Sequence, residues 1–365
     1  MHVQGLRTRN RILSVLLVFT LGCVFLAGCG QKADGERSNM TSNSAAKSSK
    51  DTGTEAIQSE DTFTMETRII DVQNDSAFGD YGRLIFPVNS GYMSGNTLGS
   101  LRLTWYNNID SNKTVEICNY MRDHAEIGDS IFYDIYTEKE KKANPAKRDT
   151  GLFFFKGRST SDGRRFSADR SGAETPGAKF AVVNAGGGFA YVGAMHDSFP
   201  HALELSKMGY NAFALIYRPG AQTACEDLSR AIAFIFEHAE ELEVDTDGYS
   251  LWGGSAGGRM ADWVGTYGTE NFGEKAYPQP AAVIANYTGL SEVTGHEPPT
   301  YSAVGTSDGI ASWRTMKSRL DTMSGMGIPT EFHSYDGLPH GFGLGTGTVA
   351  EGWIGDAVAF WEGQM

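Results

Sequence analysis

Four short stretches hold residue types that could do chemistry together. The first is Gly253-Gly254-Ser255-Ala256-Gly257-Gly258, which has the form G-x-S-x-G. A serine hydroxyl becomes a nucleophile only when a neighbouring base takes its proton. On a tight, strained turn, glycines two positions either side remove the side chains that would crowd the serine. The second is Asn184-Ala185-Gly186-Gly187-Gly188-Phe189. There the N–H groups of Gly187 and Gly188, joined by that of Ala256, could bind a developing oxyanion. A phosphate-binding loop is the competing reading, but no G-x-x-x-x-G-K-[ST] accompanies the triplet.

The third and fourth stretches supply a carboxylate and an imidazole. They are Gly305-Thr306-Ser307-Asp308-Gly309 and Gly337-Leu338-Pro339-His340-Gly341-Phe342. Histidine is the usual base near neutral pH, and it needs a carboxylate to fix its tautomer and stabilise the imidazolium. Alone, Asp308 reads equally well as a helix N-cap and His340 as an exposed loop residue. Their joint occurrence, in the order Ser…Asp…His, favours chemistry. Asp321 and Asp336 are the alternative acids. The first lies inside an expected helix and the second only four positions from His340, so Asp308 is better placed. His196, His201, His238, His296 and His333 show no metal-ligand spacing, and His296-Glu297-Pro298-Pro299-Thr300 lacks a second histidine, so neither metal nor cofactor is expected. Glu226 and Asp227 read as acids at a helix start with Arg218 as partner. Tyr191, Trp313 and Phe342 are candidates for a pocket wall or for ordinary core.

The elements that must position these residues follow from apolar runs and breakers. Strands are expected at 180–184, 212–217, 249–252, 281–286, 301–305 and 330–335, and helices at 198–208, 226–242, from 256, 311–323 and 349–361. Strand–helix alternation with near-continuous apolar strands predicts an α/β fold, a mostly parallel sheet with helices on both faces. In such sheets chemistry sits at the carboxyl ends of strands, where Ser255, Asp308, His340 and the glycine triplet all fall. Upstream, 130–136 and 152–155 read as an antiparallel edge pair around a charged loop. Runs at 67–72, 82–86 and 101–105 read as short strands and 115–125 as a helix. Residues 62–129 are therefore expected to be a small, mainly β addition packed on the domain formed by 130–365. Tyr92 and Met93 are candidates for a wall of its pocket.

The N-terminus reads as a targeting segment. Arg7, Arg9 and Arg11 precede an apolar run over 12–25, and Leu26-Ala27-Gly28-Cys29 is similar to a bacterial lipobox. This predicts a signal peptide over 1–28, lipidation of Cys29, and an extracytoplasmic protein that meets a membrane only through its anchor. Residues 29–61 are polar and read as a disordered tether. Cys118 and Cys225 are expected to be inert buried thiols. The chain has 365 residues, 40 % hydrophobic, so it can bury a core. Removal of 1–28 takes the net charge from −13 to −16, which argues against nucleic acid as partner.

From about residue 130 onward the chain resembles α/β-hydrolase esterases and lipases, the group that includes hormone-sensitive-lipase-like and feruloyl-esterase-like enzymes. The carrying motifs are Gly186-Gly187-Gly188-Phe189, Tyr217-Arg218-Pro219, Glu226-Asp227-Leu228, Gly253 to Gly258, Asp308 and His340-Gly341-Phe342. The resemblance implies an α/β-hydrolase fold with Ser255 as nucleophile, His340 as base, Asp308 as its orienter, and an oxyanion hole of Gly187, Gly188 and Ala256. Members of the group usually carry histidine before the glycine triplet, where this chain has Ala185. The expected activity is hydrolysis of carboxylic esters, on acylated carbohydrates or small acyl esters. The competing readings are a serine peptidase of the same fold, usually equipped with a propeller that 62–129 is too short to form, and a surface binding protein that keeps the fold without turnover.

Overall fold

The computed structural model describes residues 62–87, 96–101, 109–157 and 178–365. Cys29 and the signal, tether and Tyr92–Met93 expectations lie outside the described residues.

Eight strands form one sheet: β1 (Phe132–Tyr133), β2 (Gly151–Phe155), β3 (Ala178–Asn184), β4 (Asn211–Ile216), β5 (Val244–Gly254), β6 (Ala282–Asn286), β7 (Thr300–Gly305) and β8 (Thr330–Tyr335). Their order is β1-β2-β4-β3-β5-β6-β7-β8. The β1–β2 and β2–β4 pairs are antiparallel, and every pair from β4 through β8 is parallel. The buried central strands are continuous apolar runs because neither face meets water. Phe180, Phe213 and Tyr249 pack ring on ring in the core, with Phe180 and Tyr249 stacked at 5.2 Å.

The α-helices among the described residues are α1 (Ile69–Gln73), α2 (Ser111–Glu126), α3 (Glu138–Ala143), α4 (Ala194–Asp197), α5 (Phe199–Lys207), α6 (Ala221–Glu237), α7 (Ala256–Tyr267), α8 (Trp313–Gly325) and α9 (Trp353–Glu362). α5 packs on β2, β3 and β4, while α7 packs on β3, β5, β6 and α6. α8 lies against β7 and β8, and α9 against β6.

Two regions differ from the sequence expectation. Among the described residues, 62–129 is helical rather than mainly β, with one isolated bridge between Arg68 and Thr97. The run expected as a strand at 67–72 becomes α1 because Ile69 and Val72, three apart, share the buried side while Ile70 and Asp71 face outward. A strand would have paired Ile70 with Val72. The run at 82–86 overlaps a 3-10 segment, Ser76–Leu84, opened by the Asp75 carboxylate accepting from the Ala77 N–H. That at 101–105 falls largely outside the described residues. The charged loop after β1 holds α3, started by a Thr137/Glu140 capping box.

Residues Phe63–Met365 form one compact unit. Tyr81 stacks on Phe132 of β1 at 5.0 Å, Tyr120 of α2 stacks on Phe155 of β2 at 5.3 Å, and Lys113 of α2 pairs with Glu204 of α5 at 2.8 Å. Cys118 and Cys225 are buried free thiols.

Candidate active site

Ser255 ends β5 and begins α7 in a conformation that few non-glycine residues adopt, with φ 52° and ψ −119°. Its N–H donates to the Asn286 carbonyl at the end of β6, 2.9 Å away. The turn closes only because glycine flanks it. A Cβ on Gly253 would strike the Gly257 backbone, and one on Gly257 would lie 2.6 Å from the Ala185 carbonyl oxygen. At the head of a helix, a serine hydroxyl normally caps the first N–H groups. The Ser255 hydroxyl makes no such bond. It lies instead 3.0 Å from His340 Nε2.

His340 is buried, and its Nδ1 lies 2.8 Å from Asp308 Oδ2. Asp308 follows β7, and its other oxygen accepts from the N–H groups of Ile310 at 2.8 Å and Ala311 at 2.7 Å. This turn fixes the carboxylate while leaving Oδ2 to the imidazole. The alternative acids are engaged elsewhere: Asp336 accepts from Thr306 Oγ1 at 2.9 Å, and Asp321 pairs with Lys317 at 2.7 Å. Serine, imidazole and carboxylate thus stand in line, arriving from the ends of β5, β8 and β7.

The glycine triplet follows β3. Gly187 has φ 137° and Gly188 φ 62°, and Phe189 is also left-handed at 59°. A Cβ on Gly186 would stand 3.1 Å from Ser255 Cβ, so the loop lies directly against the serine. Among the described residues, the N–H groups of Gly187, Gly188 and Ala256 donate to no protein group. The Ala256 N–H belongs to the first turn of α7, whose helix dipole places partial positive charge there. Ala185, which stands where a histidine is usual, is buried and brings no polar side chain. Two other residues support the loop: Tyr217 donates to the Ala185 carbonyl at 2.7 Å, and the buried Asp197 carboxylate accepts from the Gly186 N–H at 2.7 Å.

Sequence reasoning missed Asp197 and Tyr287. Tyr287, at the end of β6, donates from its hydroxyl to Asp197 at 2.5 Å and sets its ring edge-on to His340, centroids 5.3 Å apart. Burial, reinforced by the Asp197 carboxylate, pushes the Tyr287 phenol well above 10, so it stays a donor. The local clue in the sequence was the nearness of Asp197 to the glycine triplet, whereas the left-handed φ of Tyr287, 39°, shows only in the fold.

Glu226 and Asp227 do not open a helix. α6 begins at Ala221, directly after Gly220 with φ 100°, which puts both acids beyond the first turn. Asp227 is fully buried and holds Arg218 by its side chain at 2.6 Å and its N–H at 2.8 Å, with Tyr136 as a further donor at 2.7 Å. Phe342 packs edge-on to Tyr287 at 4.9 Å, Trp313 lies under the Arg314 guanidinium, and Tyr191 packs partly buried against the core beside the triplet. Among the described residues, no three metal-capable side chains gather.

Residues 172–307 match the model of the BD-FAE family. The matched segment holds Gly187, Gly188, Ser255 and Ala256 and stops one residue before Asp308. No curated protein sequence matches the chain. Among solved structures, the chain is similar to an acetyl ester-xyloside bifunctional hydrolase from Caldicellulosiruptor lactoaceticus, at 20 % identity and TM-score 0.52, over 64 % of this chain and 95 % of that one. It is also similar to the thermophilic esterase Est2 from Thermogutta terrifontis, solved with propionate, at 21 % identity and TM-score 0.51, over 64 % and 93 % of the two chains. The chain has the α/β-hydrolase fold, and the segment that carries its serine turn and glycine triplet matches the feruloyl-esterase-like BD-FAE domain.

Proposed function

We propose that the chain is a serine hydrolase of carboxylic esters. The observation that supports this most is the alignment of Ser255 Oγ, His340 and Asp308, at 3.0 and 2.8 Å. Ser255 Oγ attacks the ester carbonyl carbon as its proton passes to His340 Nε2. Asp308 keeps the other ring nitrogen protonated and stabilises the imidazolium. The carbonyl oxygen, now negative, is met by the N–H groups of Gly187, Gly188 and Ala256. Collapse breaks the ester C–O bond, and the leaving alcohol takes the proton from His340. Water then gives a proton to His340 and its oxygen to the acyl carbon, releasing the acid and restoring Ser255. The scheme uses no other group.

The substrates we propose are short acyl esters, including those on carbohydrates, in keeping with the acetyl ester and propionate named for the two solved relatives. Turnover of p-nitrophenyl acetate and acetylated xylan by the wild type, with a loss of about 10⁶ in kcat for Ser255→Ala, is the expected result. Retention of a tenth of wild-type turnover by that variant rejects Ser255 as nucleophile. From the lipobox-like residues we also propose that Cys29 is acylated and holds the enzyme outside the cytoplasm. Metabolic fatty-acid labelling of the wild type, lost in Cys29→Ser, tests it, and equal labelling of both overturns it.

A further inference from the structure

A buried carboxylate without a cation is expensive unless donors surround it. Asp197 is 4 % exposed, and no lysine or arginine pairs with it among the described residues. Its Oδ2 accepts from the Gly186 N–H at 2.7 Å and its Oδ1 from the Tyr287 hydroxyl at 2.5 Å. The same carboxylate backs the serine turn, since a Cβ on Gly254 would lie 2.6 Å from Asp197 Oδ1. One group therefore touches the oxyanion loop, the nucleophile turn and the tyrosine that packs on the base.

Tyr287 is the second unusual residue. It is buried, and its φ of 39° is a left-handed value that a tyrosine keeps only where its surroundings impose it. What imposes it here is its position between two catalytic elements. Asn286, just before it, accepts the Ser255 N–H, and its own ring meets His340 edge-on at an interplanar angle of 69°. α4 makes a second tie. His196 Nε2 lies 2.7 Å from the Gly341 carbonyl, next to His340. Two consecutive residues, His196 and Asp197, thus reach the base loop and the oxyanion loop from one turn of chain.

Resting on the ester-hydrolase reading above, we propose that Asp197 and Tyr287 are positioning residues that lock the oxyanion loop and the His340 ring into one register about Ser255. They touch no substrate. Their effect falls on the transition state, where a misplaced donor or base costs rate, and not on ground-state binding. Asp197→Asn replaces one accepting oxygen by an NH₂, which must face a donor. Tyr287→Phe keeps the ring against His340 and deletes only the hydroxyl.

The test is steady-state kinetics on p-nitrophenyl acetate with amide hydrogen exchange of the segment 184–190. Tyr287→Phe is expected to lower kcat about 10- to 100-fold with KM within about threefold of wild type. Asp197→Asn is expected to lower kcat at least as far. The double variant should be no worse than the poorer single one, because both break the same tie. Exchange at Gly186 should quicken in both. If Asp197→Asn does not fold, Tyr287→Phe decides alone. A folded Tyr287→Phe with wild-type kcat and wild-type exchange overturns the positioning role, as do losses that multiply in the double variant. The two readings fail separately. A wild type without ester turnover sinks the hydrolase reading, and the exchange rate of Gly186 in Tyr287→Phe then upholds or rejects the tie.

Discussion

Replacing Gly257 by alanine tests the geometry of the serine turn where it is tightest. The new Cβ would stand 2.6 Å from the Ala185 carbonyl oxygen and 2.6 Å from the Asn184 carbonyl carbon, against ordinary contact at 3.4–4 Å. Both obstacles are backbone at the end of β3, so no side chain can swing aside. Retreat to the other side is closed as well, because Gly253 already packs on the Gly257 backbone. The Asn184 carbonyl oxygen stands closer still, so the head of α7 must move away from the glycine loop by more than the 0.8 Å that separates 2.6 Å from ordinary contact at 3.4 Å. That would stretch an oxyanion donor from about 2.9 Å to beyond about 3.7 Å, out of hydrogen-bond reach. Loss of one such donor costs roughly 10² to 10³ in kcat. The overpacking itself should cost about 1–3 kcal/mol of stability. Both are measurable on one preparation, kcat with p-nitrophenyl acetate and stability by urea denaturation. A Gly257→Ala protein with wild-type kcat and stability would refute the close contact and the role drawn from it.

Asp308→Asn should keep the fold, since its remaining oxygen can still accept from Ile310 and Ala311, but its NH₂ would force His340 into the tautomer that cannot take the serine proton. A loss of about 10⁴ in kcat is expected, and a loss below tenfold would displace Asp308 as the orienter. Gly355→Ala, in α9 and with nothing near its added Cβ, should stabilise by about 0.5–1 kcal/mol without altering kcat, as read by thermal melting. The tie between α2 and α5 should weaken in acid. Burial alone would raise the Glu204 carboxyl, but Lys113 and Lys207 overcome it and leave it below 4.5. A carboxyl lowered on folding stabilises above its unfolded pKa, and that gain disappears as pH falls through 4.5 and below. Between pH 6 and 3.5 the wild type should lose about 1 kcal/mol more than Glu204→Gln, and parallel pH profiles of the two would reject the tie.

The hydrolase sheet was legible because buried parallel strands are continuous apolar runs with glycine at their ends. The reading at 330–335 matches β8 residue for residue, and 282–286 differs by one from the expected strand. Boundaries set by a turn were harder. α6 starts five residues earlier than its apolar spacing suggests because Gly220 turns the chain just before it, so Asp227 became an interior anchor for Arg218 instead of a cap. Residues 62–129 misled because β-branched residues such as Ile69 and Val72 favour strands, while here packing rewards their helical spacing. In the site, Ser255, Asp308 and His340 were visible since each follows a strand among glycines. Asp197 and Tyr287 were not. Asp197 lies 11 residues from Gly186 but 90 from Tyr287, and only the fold brings the three together.

The assignment of Ser255 as the attacking group is tested most directly by treating the full-length protein with a fluorophosphonate and locating the adduct by peptide mass spectrometry. A single modification is expected on the serine of Gly253-Gly254-Ser255-Ala256-Gly257, formed rapidly in the wild type and absent from Ser255→Ala. Rapid labelling at another residue, or equal labelling of the Ser255→Ala protein, would contradict it.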